Sequence, residues 1–326
     1  ITLWSNDTLG FSNSEYYQYL LDSTEPVVVS GLPPKETYVN SSVRFTVQFQ
    51  DSTSNISFIK ANNGTKWFKQ TIIGNSKTAS ETYSSVWKNE GKKNIIIQIN
   101  DSADNTREKT TGPYYLDTTP PYIKEGYPEP RNESYITSET EISVNFTDPY
   151  LKGTGTSGSE VGRKFFNNGT GNYSFEQSFI PKWETSERKT VHIWVEDNVN
   201  NTNRSTYHYL VDNKGPVIRS IDTNNSILPS EPEIEISSTD LGAEGGVGLD
   251  YINLSNGTHN TTEENYNFSY YPEWVSGEHE LRIWLQDDLG NKNFTMYRYY
   301  IDNQPPVTTT NYSFSGWMAE NISVGI

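Results

Sequence analysis

Cysteine is absent from the 326 residues, so the chain has no disulfide framework and no thiol chemistry. Histidine is scarce. The four, His192, His208, His259 and His279, all lie in the second half without recurring, and no local signature of a nucleophile and its base accompanies them. Basic charge is short as well: 25 Lys and Arg stand against 41 Asp and Glu, a formal net charge of −16. Phosphate backbones are held largely by Lys and Arg, and anionic membrane surfaces attract the same residues. Nucleic acid is therefore excluded as a partner, and membrane contact is expected only through parts of the protein outside this chain. No apolar run reaches the ~20 residues of a membrane-crossing helix, and no leader sequence is recognisable. The glycine-rich run 242–248 has neither the Lys-Ser/Thr of a phosphate cradle nor a helix pattern after it. No enzymatic activity is expected.

What is plentiful points to strands. Aromatic residues make up 13% of the chain, Tyr, Val, Ile and Thr are abundant, and no segment sustains a helical period. The stretch 190–218 is the most legible. Val191, Ile193 and Val195 alternate with His192, Trp194 and Glu196, the period of a strand with one buried face. Asp197, Asn198, Asn200 and Asn201 then supply a turn, and 207–211 returns antiparallel until Asp212 and Pro216 end it.

The same pattern is written four times. Asp7, Asp101, Asp197 and Asp287 open the turns, and Asp22, Asp117, Asp212 and Asp302 end the return strands at spacings of 95, 95 and 90 residues. A fixed period of this size marks an array. Three whole repeats are expected, 25–119, 120–214 and 215–304, flanked by the end of another (1–24) and the start of a further one (305–326). Each repeat has a strand with apolar residues on one face: Val43, Phe45, Val47 and Phe49; Ile142, Val144 and Phe146; Ile234 and Ile236. An Asn-Gly hairpin signal follows, at Asn63, Asn168 and Asn256. Trp87, Trp183 and Trp274 occupy one equivalent position, suited to a core anchor. About seven short strands in 95 residues fit an all-β fold, a tandem array of immunoglobulin-like antiparallel β-sandwiches.

The segments WLQDDLGNKN…YYIDNQPP, WVEDNVNNTN…YLVDNKGP and QINDSADNTR…YLDTTPP resemble the bacterial and archaeal Ig-like repeats of large secreted surface proteins and adhesins. The loop holding Asp240, Gly248 and Leu249 is similar to that family's acidic, glycine-containing loop. The resemblance covers nearly the whole chain and implies an extracellular, cell-surface location. It implies no particular ligand, since such repeats serve adhesins, surface layers and accessory parts of secreted enzymes. The first hairpin departs from the pattern, with Phe11 at the position of Asn291.

In such a sandwich the loop after the second strand and the turn of the last hairpin lie at one end, where the chain enters. Asp148 and Asp197 are then expected to approach Asp117 from the preceding repeat. Asp22, Asp51 and Asp101 should form the same trio, as should Asp212, Asp240 and Asp287. Converging carboxylates repel unless a hard cation such as Ca²⁺ bridges them. The bland alternative is that each aspartate caps a turn. A second candidate is an aromatic outer face, in which Trp194 and Trp284 with Tyr209 and Tyr299 would stack on sugar rings, against cross-strand pairing that merely protects the sheet.

Of 33 Asn residues, 19 sit in Asn-x-Ser/Thr triplets where chance gives roughly seven, so N-glycosylation is expected, with Asn40, Asn63, Asn168, Asn203, Asn256 and Asn293 among the candidates. The composite expectation is a glycosylated stalk or adhesive region of a microbial surface protein. A polysaccharide or protein on another cell would be its partner. The alternative is a carbohydrate-binding accessory region of a secreted hydrolase.

Overall fold

The computed structural model describes residues 1–151 and 155–307. The expected residues 308–326 of a further repeat, and 152–154 in the loop after Asp148, lie outside the described residues. The chain forms two compact units, one of residues 1–133, 141–181 and 190–208, the other of residues 134–140, 182–189 and from 209 onward.

In the first unit, the strand Ser42–Gln50 buries every second side chain: Val43, Phe45, Val47 and Phe49 face inward. It lies between Val27–Ser30 and Thr78–Val86 in a three-stranded antiparallel sheet. A five-stranded sheet covers its apolar face. Gly91–Asp101 is central there, flanked by Ile56–Asn62 with Trp67–Ile72 on one side and Thr106–Leu116 with Thr37–Val39 on the other. Thr37–Val39 runs parallel to Thr106–Leu116, while the other pairs are antiparallel. The inner faces close on Ile59, Ile95, Ile97, Ile99 and Leu116. This is an Ig-like sandwich. The same unit holds the exposed hairpin of Thr2–Asn6 and Ser12–Tyr16.

Also in this unit, Val161–Asn167 pairs with Asn172–Ser174 and with the 192–197 part of Arg188–Asp197. The expected continuous strand at 142–147 is split here. Ile142–Ser143 pairs with Ser178–Phe179, and Phe146–Thr147 pairs with Tyr122–Ile123. The two halves serve different partners, which breaks the ladder between them.

In the second unit the sandwich recurs. Ile234–Thr239 lies between Val217–Ser220 and Asn267–Tyr270, facing a sheet in the order Ser226–Leu228, Lys292–Ile301, Gly277–Asp287, Leu249–Ser255, Asn260–Glu263. Its core contains Ile234, Ile236, Ile252, Leu254, Leu281 and Ile283. The parallel pair recurs as well, both here and where Tyr135 and Ile136 meet Leu210 and Val211.

Candidate metal centres

Every expected trio is brought together. In each of the sets Asp22, Asp51, Asp101; Asp117, Asp148, Asp197; and Asp212, Asp240, Asp287, one carboxylate oxygen per residue lies within 4.8 Å of the other two. The positions are equivalent. One aspartate follows the last strand of a repeat, the second follows the second strand of the next repeat, and the third opens the next repeat's last hairpin turn. All but Asp22 and Asp148 are buried.

The turn aspartates are fully engaged. Asp197 Oδ1 accepts the backbone N–H groups of Val199 and Asn201 (2.9 and 2.8 Å), and Oδ2 accepts Asn201 Nδ2 (2.7 Å). Asp101 does the same with Ala103 and Asn105, and Asp287 with Leu289 and Asn291. The asparagine also reaches backward. Asn105 Nδ2 donates to the backbone oxygen of Asp22 (3.3 Å), Asn201 to that of Asp117 (3.0 Å) and Asn291 to that of Asp212 (3.1 Å). These three side chains tie the incoming linker to the turn. Sequence reasoning missed that role, although an asparagine four residues after each turn aspartate was its visible signal. In the first hairpin Phe11 fills the position, and Asp7 holds only backbone N–H groups.

The remaining aspartates differ. Asp51 Oδ1 accepts two N–H groups, from Thr53 and Ser54. Its Oδ2 is buried without a hydrogen-bond partner, on a residue only 2% exposed. Both Asp148 oxygens and Asp22 Oδ2 are in the same condition. Burial pushes the Asp148 carboxyl up to about 6, and the carboxylates of Asp117 and Asp197 add to the effect. Asp240 is pushed up by burial, with Asp212 and Asp287 contributing. Asp22 is held down to about 2, chiefly by the Thr24 hydroxyl.

A buried carboxylate oxygen without a donor is costly. Such oxygens occur in the first trio (Asp22 and Asp51) and the second (Asp148), and in all three the converging carboxylates are the donor type of a hard divalent cation: all oxygen, no thiolate and no imidazole. The residues fit Ca²⁺, with backbone carbonyls and water able to complete a shell of six or more.

The glycine-rich run 242–248 has a use in the third trio. Val247 N–H donates to Asp212 Oδ2 (3.0 Å), and Gly248 N–H to Asp240 Oδ2 (3.1 Å). A Cβ on Gly246 would sit 2.1 Å from Asp240 Oδ2, and Gly246 has φ +84°. Only glycine lets the backbone close on the carboxylate in that conformation. Gly246→Ala is expected to lower stability by about 1–3 kcal/mol. Gly245→Ala, whose Cβ would meet nothing within 4 Å, should cost less. Urea unfolding of both variants checks this.

The aromatic outer face requires correction. Tyr209 and Tyr299, with Tyr114 at the equivalent place, are fully buried. They pack on the Trp anchors: Trp87–Tyr114 at 6.2 Å, Trp183–Tyr209 at 6.3 Å, Trp274–Tyr299 at 5.9 Å between ring centroids. The reason is register. Trp284 pairs with Phe294, an odd number of residues before Tyr299, so Trp284 and Tyr299 point to opposite faces. Trp284 does face outward, 40% exposed, and Trp194 is half-buried against Phe165.

One glycosylation candidate is also corrected. Asn63 is buried: its Oδ1 accepts Thr65 and Lys66 N–H, and its Nδ2 donates to Val86 O. The amide closes an Asx turn and is inaccessible to a glycan. Asn168 and Asn256 make the equivalent turns, half-buried, with Asn168 Nδ2 donating to Pro181 O. Asn40 and Asn293 are exposed and Asn203 is half-buried, although Asn40 Nδ2 also donates to Val199 O (2.7 Å). The histidines lie outside the trios. His192 and His208 bond threonine hydroxyls across the hairpin, His259 bonds Thr258, and His279 stacks on Trp274.

Fold and site together define a class: tandem Ig-like sandwiches with an aspartate trio where one repeat leads into the next. No protein-family model matches the chain, and no curated protein does. Solved structures similar to it include that of a 1.5-MDa bacterial ice-binding adhesin, in work on its retention at a host cell surface; it is 12% identical with a TM-score of 0.38 and covers 89% of this chain and 100% of its own. A tetra-tandem repeat from the extending region of a large adhesion protein is 12% identical with a TM-score of 0.34, covering 93% and 81%. Three domains of an outer capsid protein of bacteriophage RB49 are 12% identical with a TM-score of 0.37, covering 86% and 100%. At these identities and scores the likeness assigns no function.

Proposed function

We propose that the chain is a non-catalytic, extracellular part of a large microbial surface protein, an adhesive or spacer stalk of Ig-like repeats whose junctions bind calcium. The repeats are 25–119, 120–214 and 215–304, with parts of two others at 1–24 and 305–326. The observation that carries this reading is the threefold recurrence of the aspartate trio, with the buried, donorless Asp51 Oδ2 in the first. A cation there would connect a carboxylate of one repeat to two of the next, and would restrict movement at the linker that Asn105, Asn201 and Asn291 already hold by its backbone. Glycans on Asn40, Asn203 and Asn293 would suit an exported surface, and the partner would be a polysaccharide or protein of another cell. The reading as an accessory region of a hydrolase is weakened, because half of the aromatic face it needs is core.

Limited proteolysis tests the junctions. Calcium is expected to slow cleavage at the linkers after Asp22, Asp117 and Asp212 severalfold relative to chelator, because local opening sets cleavage there. Equal cleavage patterns in both conditions would remove calcium from the proposal.

A further inference from the structure

The chain's charge is unevenly placed. Residues 25–119 carry 11 Lys and Arg against 9 Asp and Glu, whereas residues 215–304 carry 4 against 15. In the first repeat the basic residues are also gathered. A groove of about 770 Å³ is lined by Lys66, Lys88, Lys92 and Lys93, with Asn89 and Asn94 beside them. All of these except Lys93 are exposed. No acidic side chain is among the residues lining it. The nearby Glu90 carboxylate accepts from Thr118 and Thr119, and Lys93 Nζ reaches only the backbone oxygen of Glu90. The Trp87 indole contributes to the wall, packed on Tyr114 and held by its N–H to Asn63 O at 3.0 Å. The wall is thus anchored in the core, and the Lys66, Lys88 and Lys92 side chains have no acidic partner among the described residues.

We infer that this groove binds an acidic polysaccharide, one whose sugars carry carboxylates at regular intervals. Four ammonium groups supply charge to uronate carboxylates, and the exposed amides of Asn89 and Asn94 can donate to and accept from sugar hydroxyls. A polyanion is repelled by the strongly acidic third repeat, and the second, with 10 Lys and Arg against 13 Asp and Glu, offers no net attraction, so the charge pattern favours the first. The exposed amides set among the lysines suit a hydroxyl-bearing glycan strand better than a second copy, which the charge contrast alone would also attract.

The test uses the whole chain and a hyaluronate oligosaccharide, beside a chito-oligosaccharide of equal length that has the acetamides but no carboxylates. Hyaluronate is expected to bind, and to bind more weakly as salt rises, because the contacts are exposed charges. The double variant Lys88→Glu/Lys92→Glu should lose about tenfold or more in affinity through the loss and reversal of two charges. Lys35→Glu/Lys109→Glu, equal in net charge and at residues that do not line the groove, should bind as the parent does. Unchanged melting temperatures would establish that both variants are folded. Equal loss in the two variants, equal binding of the neutral oligosaccharide, or no binding of hyaluronate would overturn the assignment. So would self-association of the chain that Lys88→Glu/Lys92→Glu abolishes in the absence of hyaluronate binding, which would give the groove to a second copy.

Discussion

Raising calcium to about 10 mM in chelator-treated protein is expected to lift the midpoint of thermal unfolding by about 6–20 °C. Extracellular calcium sites have dissociation constants of about 10⁻⁴–10⁻³ M, so each would contribute about 1.4–2.7 kcal/mol at that concentration. A repeat of this size shifts by about 4–8 °C per kcal/mol. Asp148→Asn separates a metal site from a set of turn caps. Both Asp148 oxygens lack donors and its carboxyl is pushed up to about 6, so ionisation is unfavourable in the folded chain. The variant should therefore be as stable as the parent, or more so, in chelator, yet lose part of the response to calcium. A turn cap predicts the same change in both conditions.

The two conditions should also respond oppositely to pH. With a folded value of about 6 above the ordinary 3.8, Asp148 penalises the fold in full above pH 6, and the penalty disappears as pH falls toward 4. Asp240 acts in the same direction. Metal-free protein should thus gain stability between pH 7 and 5, whereas calcium-loaded protein should lose it, because protons displace the cation. Melting curves across that range, with and without calcium, check the sign. Parallel profiles would defeat the metal reading.

The trios were legible from sequence because two facts sufficed: a period that carried each aspartate to an equivalent place, and a topology that put two loops at one end. The strand at 42–50 was legible because one ladder holds it from end to end, and its burial alternates without a break. The strand expected at 142–147 was not, because its partners change midway, and side-chain alternation carries no record of which strand lies alongside. The linker-holding asparagines escaped notice for a related reason. Asn201 looks like a turn former, and only the position of the Asp117 carbonyl reveals what its second amide hydrogen does. The role of the run 242–248 in closing on Asp212 and Asp240 depends on distances that spacing does not encode.

Tyr299→Ala is expected to cost about 3–5 kcal/mol, the usual range for emptying a large buried aromatic site. The ring is fully buried against Trp274, and its hydroxyl donates to the backbone oxygen of Asp222 at 3.1 Å. Tyr299→Phe keeps the ring and should cost about 1 kcal/mol, for the one hydrogen bond. Trp284→Ala, on the outer face of the same hairpin, loses mainly its pairing with Phe294 at 5.1 Å, worth about 0.2–1 kcal/mol. Urea unfolding of the three variants would rank them in that order. The ranking matters because a sugar-stacking face requires Tyr299 to be dispensable for folding and needed for binding. If Tyr299→Ala instead left stability intact, the register that turns the tyrosine away from Trp284 would be wrong, and the aromatic face would return as a binding surface. With the expected order, the recurring tyrosines and tryptophans belong to two systems: a buried Trp–Tyr pair in the core of each repeat, and separate outward tryptophans whose substitution leaves the fold intact.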